Sequence, residues 1–241
     1  MIYFITAYAG NDDSKYQSLL KPSLPADVVS IAIGGEGSIA EKYNRGIYKY
    51  YEMNGRTDED VICFVHDDVV VVDQFFKEKL DLFFNKNENT KDVSIAGVIG
   101  SLLIGEGAFW WEHMAYSKGR VVQYYRDPNR APIVVSGVEA TTVSQVLTVD
   151  GLAMFVPARH LTQKFFDESY GGYHFYDMDT CVEQAKKGKR VFVLDIILEH
   201  HSEGDNPSSP AFQAARKKFL DKHQFPQFPI KVKQKKVGEN E

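Results

Sequence analysis

Chemistry in this chain gathers where apolar runs stop. Phe64-Val65-His66-Asp67-Asp68 closes one run with an imidazole and two carboxylates, and Leu198-Glu199-His200-His201 closes another with a carboxylate and two imidazoles. Charges at a strand end are costly unless paired or bound to a cation. A carboxylate and an imidazole from separate strands have the composition of a divalent-metal site, which makes Asp68, His66, His200 and His201 candidate ligands. Hard oxygen donors mixed with nitrogen favour Mn²⁺ or Mg²⁺ over a structural zinc ion. Two blander readings stand beside this one: Asp-Asp is common turn chemistry, and histidines often lie on a solvated surface.

Other polar groups also follow apolar runs: Thr6 with Tyr8, and the stretch from Gly34 to Ser38. In open α/β sheets ligands sit beyond the carboxyl ends of strands, so these places are candidate binding positions or ordinary strand exits. Arg45 could face a phosphate or a solvated helix face. Trp110 and Trp111, near Gly105 and Gly107, could offer aromatic faces to a sugar or pack in the core. His174, between Tyr173 and Phe175, reads equally as an acceptor contact or a satisfied interior histidine. Asp177 and Asp179 open a helical segment, where aspartates often serve as caps and dipole partners.

These groups need a scaffold, and the apolar pattern supplies one. The runs Ile2 to Ile5, Val28 to Ile33, Val61 to Val65 and Val93 to Val98 alternate with segments of helical period, which predicts a largely parallel sheet. Ser38 is placed to cap a helix carrying Ile39, Ala40, Tyr43, Ile47, Tyr50 and Tyr51, and Asp73 to cap one carrying Phe75, Phe76, Leu80, Phe83 and Phe84. The second half is β-rich over Arg120 to Tyr125 and Ile133 to Val156, the latter too long for one strand. A helix from about Asp177 to Lys187 stops at Gly188, a last strand is expected over Val191 to Leu198, and an amphipathic helix carries Phe212, Ala215 and Phe219.

Composition narrows the class. With 241 residues, 44% of them hydrophobic and 25% charged, the chain can bury a substantial core, and one domain over 1–241 is expected. Its parts would be a half at 1–100 that resembles a nucleotide-binding α/β unit, a β-rich half at 101–205, and a helix with a basic tail at 206–241. A net charge of −5 gives no reason to expect nucleic acid as partner. Cys63 and Cys181, without a CxxC pair, are expected as buried free thiols. No basic leader precedes Ile2, and no stretch nears the roughly 18 apolar residues of a membrane span. A cytoplasmic location is expected, with at most weak peripheral membrane contact through Lys231, Lys233, Lys235 and Lys236.

Taken in order, the motifs resemble family-two GT-A glycosyltransferases, especially their small bacterial branch. Asn44-Arg45-Gly46-Ile47 is similar to the family's Asn-x-Gly helix, Phe64 to Asp68 to its strand-end DxD, Asp150-Gly151 to its Asp-Gly, and Tyr176-Asp177-Met178-Asp179 to its Glu-Asp-x-Asp. Phe166-Asp167-Glu168, His174 to Asp179 and His200-His201-Ser202-Glu203-Gly204 form the most specific group. Two features depart from the pattern: His66 replaces the first DxD aspartate, and Gly34-Gly35-Glu36 lacks the aspartate expected after the second strand.

The resemblance implies an α/β GT-A fold, with a mixed, mostly parallel sheet flanked by helices, in which 1–100 is the nucleotide-binding half and 101–205 the acceptor and catalytic half. It implies a metal-dependent, inverting transfer of a sugar from a nucleotide-diphospho-sugar, foremost a UDP-sugar, to a glycan or lipid-linked acceptor in polysaccharide assembly. Asp68 would bind the metal with His200 or His201. Asp177 would be the base, Thr6, Tyr8, Asn44, Arg45, Asp67, Asp150 and Gly151 would hold the donor, and His174, Trp110 and Asp179 the acceptor. Two other functions stay open: a silent nucleotide-sugar-binding module, and a sugar nucleotidyltransferase. The latter would want a basic phosphate loop, and Ala7 to Asp13 holds no lysine or arginine.

Overall fold

The computed structural model describes residues 1–125, 127, 129–204, 206–223 and the backbone of 230–231. Of the basic tail, Lys233, Lys235, Lys236 and the side chain of Lys231 lie outside the described residues. Among the described residues no helix is long and apolar enough to cross a membrane.

The apolar runs form β1 (Ile2–Ala7), β2 (Val29–Ile33), β3 (Val61–Val65), followed closely by β4 (Val69–Val71), and β5 (Val93–Gly97). Alternation along β3 shows why the sheet lies inside. Val61, Cys63 and Val65 join a core with Phe4, Phe76, Leu80 and Phe155, whereas Ile62 and Phe64 join another with Ile5, Tyr43, Ile47 and Met154. A strand apolar on both faces must be covered on both. One cover is α3 (Phe76–Phe84) with a π-helical turn, Tyr16–Leu20, that runs into α1 (Lys21–Ser23). The other is α2 (Ile39–Glu52) with α4 (Tyr176–Lys186).

The main sheet has seven strands in the order β10-β13-β5-β12-β3-β1-β2, with β10 at Ser144–Val146, β12 at Ala153–Pro157 and β13 at Arg190–Val193. β1, β2, β3, β5 and β13 run one way; β12 and β10 run the other. This is the mixed, mostly parallel, helix-flanked sheet that the GT-A resemblance implies. The second sheet, β11-β6-β8-β14-β4, joins β6 (Ile99–Ser101), β8 (Ser117–Tyr124), β11 (Thr148–Val149) and β14 (Leu198–His201) to β4, with β9 (Ile133–Ser136) on β8. A small pair, β7 (Leu103–Ile104) and β15 (Ile230–Lys231), stands apart. The segment Ile133 to Val156 therefore divides into short, mostly antiparallel strands, and Cys63 and Cys181 are buried free thiols.

The single strand expected over Val191 to Leu198 is two strands in different sheets. The chain leaves the main sheet after Val193 and turns through Asp195, whose carboxylate pairs with Arg120 at 3.0 Å and whose carbonyl accepts Lys79 Nζ at 2.6 Å. Ile197 N–H then reaches Asp73 Oδ2 at 3.2 Å. These polar partners satisfy a turn that apolar periodicity cannot reveal. The helix expected from Asp73 begins at Phe76, and Asp73 Oδ1 instead accepts from Phe75 N–H in the turn leading into it.

α2 begins with a complete capping box: Ser38 Oγ accepts Glu41 N–H at 3.3 Å and Glu41 Oε2 accepts Ser38 N–H at 2.6 Å. Farther along, Gly46 lets the helix lie directly on β1, because a Cβ there would stand 2.2 Å from Ile5 Cγ2. Gly46→Ala should therefore destabilise the fold by about 1–3 kcal/mol through overpacking, even though alanine is the better helix former. Urea denaturation measures this; an unchanged midpoint would mean that α2 can retreat from the sheet without cost.

Candidate functional site

The β3–β4 turn delivers His66, Asp67 and Asp68, and the antiparallel pairing of β14 with β4 sets His200 opposite Val69. His201 N–H donates to Asp68 O at 2.8 Å, which fixes the two segments against each other. His66, Asp68 and His200 thereby offer ligand atoms that all lie within 4.8 Å of one another. Asp68 is 7% exposed. Its Oδ2 accepts Lys15 Nζ at 2.8 Å, while its Oδ1 stands 3.4 Å from His200 Nε2 and has no hydrogen bond among the described residues. A buried carboxylate oxygen left in this state is what a site for a cation provides.

The protons of both imidazoles follow from their partners. Gln123 donates its amide N–H groups to the carbonyls of Tyr124 and Ser202, so its Oε1 faces His200 Nδ1 at 3.2 Å and accepts from it. His200 thus turns Nε2 toward Asp68. Tyr176 donates its single hydroxyl proton to Gly151 O at 3.0 Å, so His66 Nε2–H must donate to the Tyr176 oxygen at 2.9 Å. In the neutral form His66 keeps its lone pair on Nδ1. Such outer hydrogen bonds orient ligands and set their tautomers.

Electrostatics agrees with the geometry. Burial alone would raise the Asp68 pKa, but His200, His66 and Lys15 outweigh it and hold the carboxyl below its ordinary range. Burial alone would lower the His200 pKa, yet Asp68 raises it. Asp67 is pushed up to about 6 by burial and by the adjacent charge of Asp68.

These groups line a cleft of about 800 Å³, together with Trp110, Asp150, Gly151, His174 and Asp177. Trp110 Nε1–H donates to Asp150 Oδ2 at 2.7 Å, and Gly151 N–H donates to Asp177 Oδ2 at 2.8 Å. Glycine is required at 151, since a Cβ would meet the Tyr176 hydroxyl at 2.2 Å. α4 enters this region from Phe175, which holds a left-handed backbone (φ 65°) while its ring packs against Phe212 and Phe219 of α5 (Pro210–His223). That strained residue turns Tyr176 and Asp177 into the cleft.

Several residues singled out from sequence lie elsewhere. His201, next to His200 on a strand, points to the other face, stacked on Tyr124 at 4.5 Å. Asp179 is buried outside the cleft and accepts from Tyr170 at 3.0 Å, Lys222 at 2.8 Å and His223 at 2.7 Å, so it joins α4 to α5. Asn44 clamps the chain at Phe166 and Glu168, and Arg45 reaches the carbonyls of Gly34 and Glu36. Thr6 is fully buried, and Tyr8 lays its ring over Gly34; neither lines the cleft. Trp110 is buried and supports Asp150, whereas His174 lines the cleft with its ring 5.2 Å from that of Phe212. Sequence reasoning passed over Lys15 and Gln123. Gln123 carries a weak signal, as a polar residue in a β-rich run; Lys15 carries none.

A helix-flanked mixed sheet, with a carboxylate and imidazole cluster lining a cleft beside its strand ends, defines the class as α/β. The chain belongs to the glycosyltransferase-like family, whose profile matches residues 11–223. It matches no curated protein. Among solved structures it is similar to A197 from STIV, at 13% identity and a TM-score of 0.47 over 80% of this chain and 81% of that one. It is also similar to GalNAc-T7, solved with UDP, GalNAc and Mn²⁺, at 8% identity and a TM-score of 0.47 over 92% of this chain and 47% of that one.

The His200–Asp68 pair sets a pH dependence whose sign is fixed by the two shifts. Asp68, with its lowered pKa, contributes stability above the ordinary carboxylate value and loses it as pH falls through the lowered one. His200, with its raised pKa, contributes below the ordinary imidazole value and loses that contribution as pH rises through the raised one. A cation would need His200 neutral, so Mn²⁺ affinity should rise with pH between about 5 and about 8, with release of a proton. Calorimetry in buffers of different ionisation enthalpy tests this, and an affinity independent of pH would remove His200 from the ligand set.

Proposed function

We propose that this chain transfers a sugar from a nucleotide-diphospho-sugar, foremost a UDP-sugar, to the hydroxyl of a glycan or lipid-linked acceptor, with a divalent cation and with inversion at the anomeric carbon. The observation that carries this reading is the buried Oδ1 of Asp68, which lacks a hydrogen bond among the described residues and is grouped with His66 and His200 in a cleft that also holds Asp177. His66, Asp68 and His200 would hold the cation, and two imidazoles beside one carboxylate favour Mn²⁺ over Mg²⁺. When bound, the cation would neutralise charge growing on the leaving diphosphate.

The chain's own groups do the rest. Asp177 accepts the proton of the acceptor hydroxyl as its oxygen attacks C1 and the bond to the diphosphate breaks. Gly151 N–H, bound to Oδ2, keeps that carboxylate oriented toward the cleft. Asp150, itself oriented by Trp110 and by Leu152 N–H at 2.8 Å, and Asp67 face the donor. The half-buried Trp111, with Phe109 and His174, forms the acceptor wall. Glycan or polysaccharide assembly in the cytoplasm is the setting that the family and the absence of a spanning helix among the described residues support.

Asp177→Asn should lower kcat by about 10²- to 10⁴-fold while leaving UDP affinity and the fold intact, because the amide keeps the shape but cannot take a proton. Asp179→Ala is the contrast: it strips a buried ion network and should cost about 3 kcal/mol of stability, with a far smaller change in turnover per folded molecule. NMR of the first product should show the inverted anomer. Wild-type turnover in Asp177→Asn, or a retained anomeric configuration, would refute the assignment of the base.

A further inference from the structure

The cleft has a charge problem. It is lined by the carboxylates of Asp12, Asp67, Asp68, Asp150, Asp177 and Glu203, and among its described lining residues Lys15 is the one lysine or arginine. A diphosphate carries at least two negative charges, and like charges in a partly desolvated cleft repel strongly. The cation proposed at His66, Asp68 and His200 offsets part of this. Among the described lining residues Lys15 is the remaining source of permanent positive charge.

Its position is informative. Lys15 Nζ lies 2.8 Å from Asp68 Oδ2, the oxygen next to the Oδ1 that faces His200, and its side chain is 37% exposed while that of Asp68 is 10% exposed. The lysine thus reaches from the rim of the cleft to a buried carboxylate. An ammonium so close to a ligand carboxylate competes with any divalent ion for the same negative charge, since two cations sharing one carboxylate repel each other. Lysine suits such an exchange: its charge is a compact ammonium on a flexible stem, which can leave one anion for another without losing its proton.

We propose that Lys15 is a phosphate-binding residue held in reserve by Asp68. Without the ion, its ammonium neutralises the buried carboxylate. With the ion on Asp68, the ammonium is displaced into the cleft, where it binds the diphosphate of the donor. This rests on the metal-dependent reading above, and assigns to Lys15 a role that no motif in the sequence marks.

The test is Lys15→Met, which keeps the length of the stem and removes the charge. Binding of Mn²⁺ alone, followed by calorimetry, should become about 3- to 10-fold tighter, because the competitor is gone. Binding of UDP at saturating Mn²⁺ should become about 10-fold weaker, and Lys15→Arg should recover most of it. A purely structural lysine cannot move the two affinities in opposite directions. Weakening of both, an unchanged affinity for Mn²⁺, or an unchanged affinity for UDP would each overturn the proposal. Wild-type protein with and without chelator, and Asp68→Ala, separate the two readings. If wild-type UDP binding ignores Mn²⁺, the metal-dependent function fails and the exchange with it. If wild-type binding needs Mn²⁺ and Lys15→Met behaves as wild type, only the role of Lys15 fails.

Discussion

A carboxylate buried at 7% exposure must be compensated, and the compensation of Asp68 organises this molecule. Two parts of the chain far from it in sequence converge on it, Lys15 at the start of the first helical turn and His200 of β14, and they join His66 of its own strand end. The His200 contact forms only because the second sheet carries β14 alongside β4. The turn at Asp195 matters for the same reason. By breaking one apolar run into β13 and β14, it lets a single stretch of chain supply an inner strand of the main sheet and also deliver an imidazole to the cleft.

The support behind the cleft is layered. Gln123 sets His200, Tyr176 bridges His66 and Gly151, and Gly151 orients Asp177. Tyr176 and Asp177 in turn depend on Phe175, whose left-handed backbone costs roughly 1–2 kcal/mol for a residue with a side chain. The aromatic contacts of Phe175 with Phe212 and Phe219, and the ion network of Asp179 with Lys222 and His223, secure α5 against α4 and offset that strain. Asp177 and Asp179 thus divide two kinds of work on one helix end. The first faces the cleft, and the second holds the support in place.

His66 in place of an aspartate has a physical consequence. It removes one negative charge from an already acidic cleft and supplies a softer donor than a carboxylate oxygen. It also ties the candidate ligand to Tyr176 by a hydrogen bond that a carboxylate, as an acceptor only, would have to make in the reverse sense. The hydroxyl proton of Tyr176 would then be drawn away from Gly151. The departure from the family's motif is therefore matched by a tyrosine placed to accept from it.

What the sequence determined by itself was local. The apolar runs Ile2 to Ile5 and Val61 to Val65 marked buried strands, Ser38 marked the start of a helix, and polar residues just after those runs marked the strand ends where the cleft lies. His66, Asp68, His200 and Asp177 were legible there because motif order kept them together as a set. Tertiary structure decided which neighbours share a face. His200 and His201 are adjacent, and only the pairing of β14 with β4 tells which one turns to Asp68. Asp177 and Asp179 are two residues apart on one helix, yet contacts with Gly151 and with α5 send them to different places. Asn44 and Thr6 satisfied motif positions but are committed to a chain clamp and to the buried interior. Lys15 was invisible, because a salt bridge spanning 53 positions leaves no periodicity, spacing or composition behind it; it exists only once the two segments are folded together.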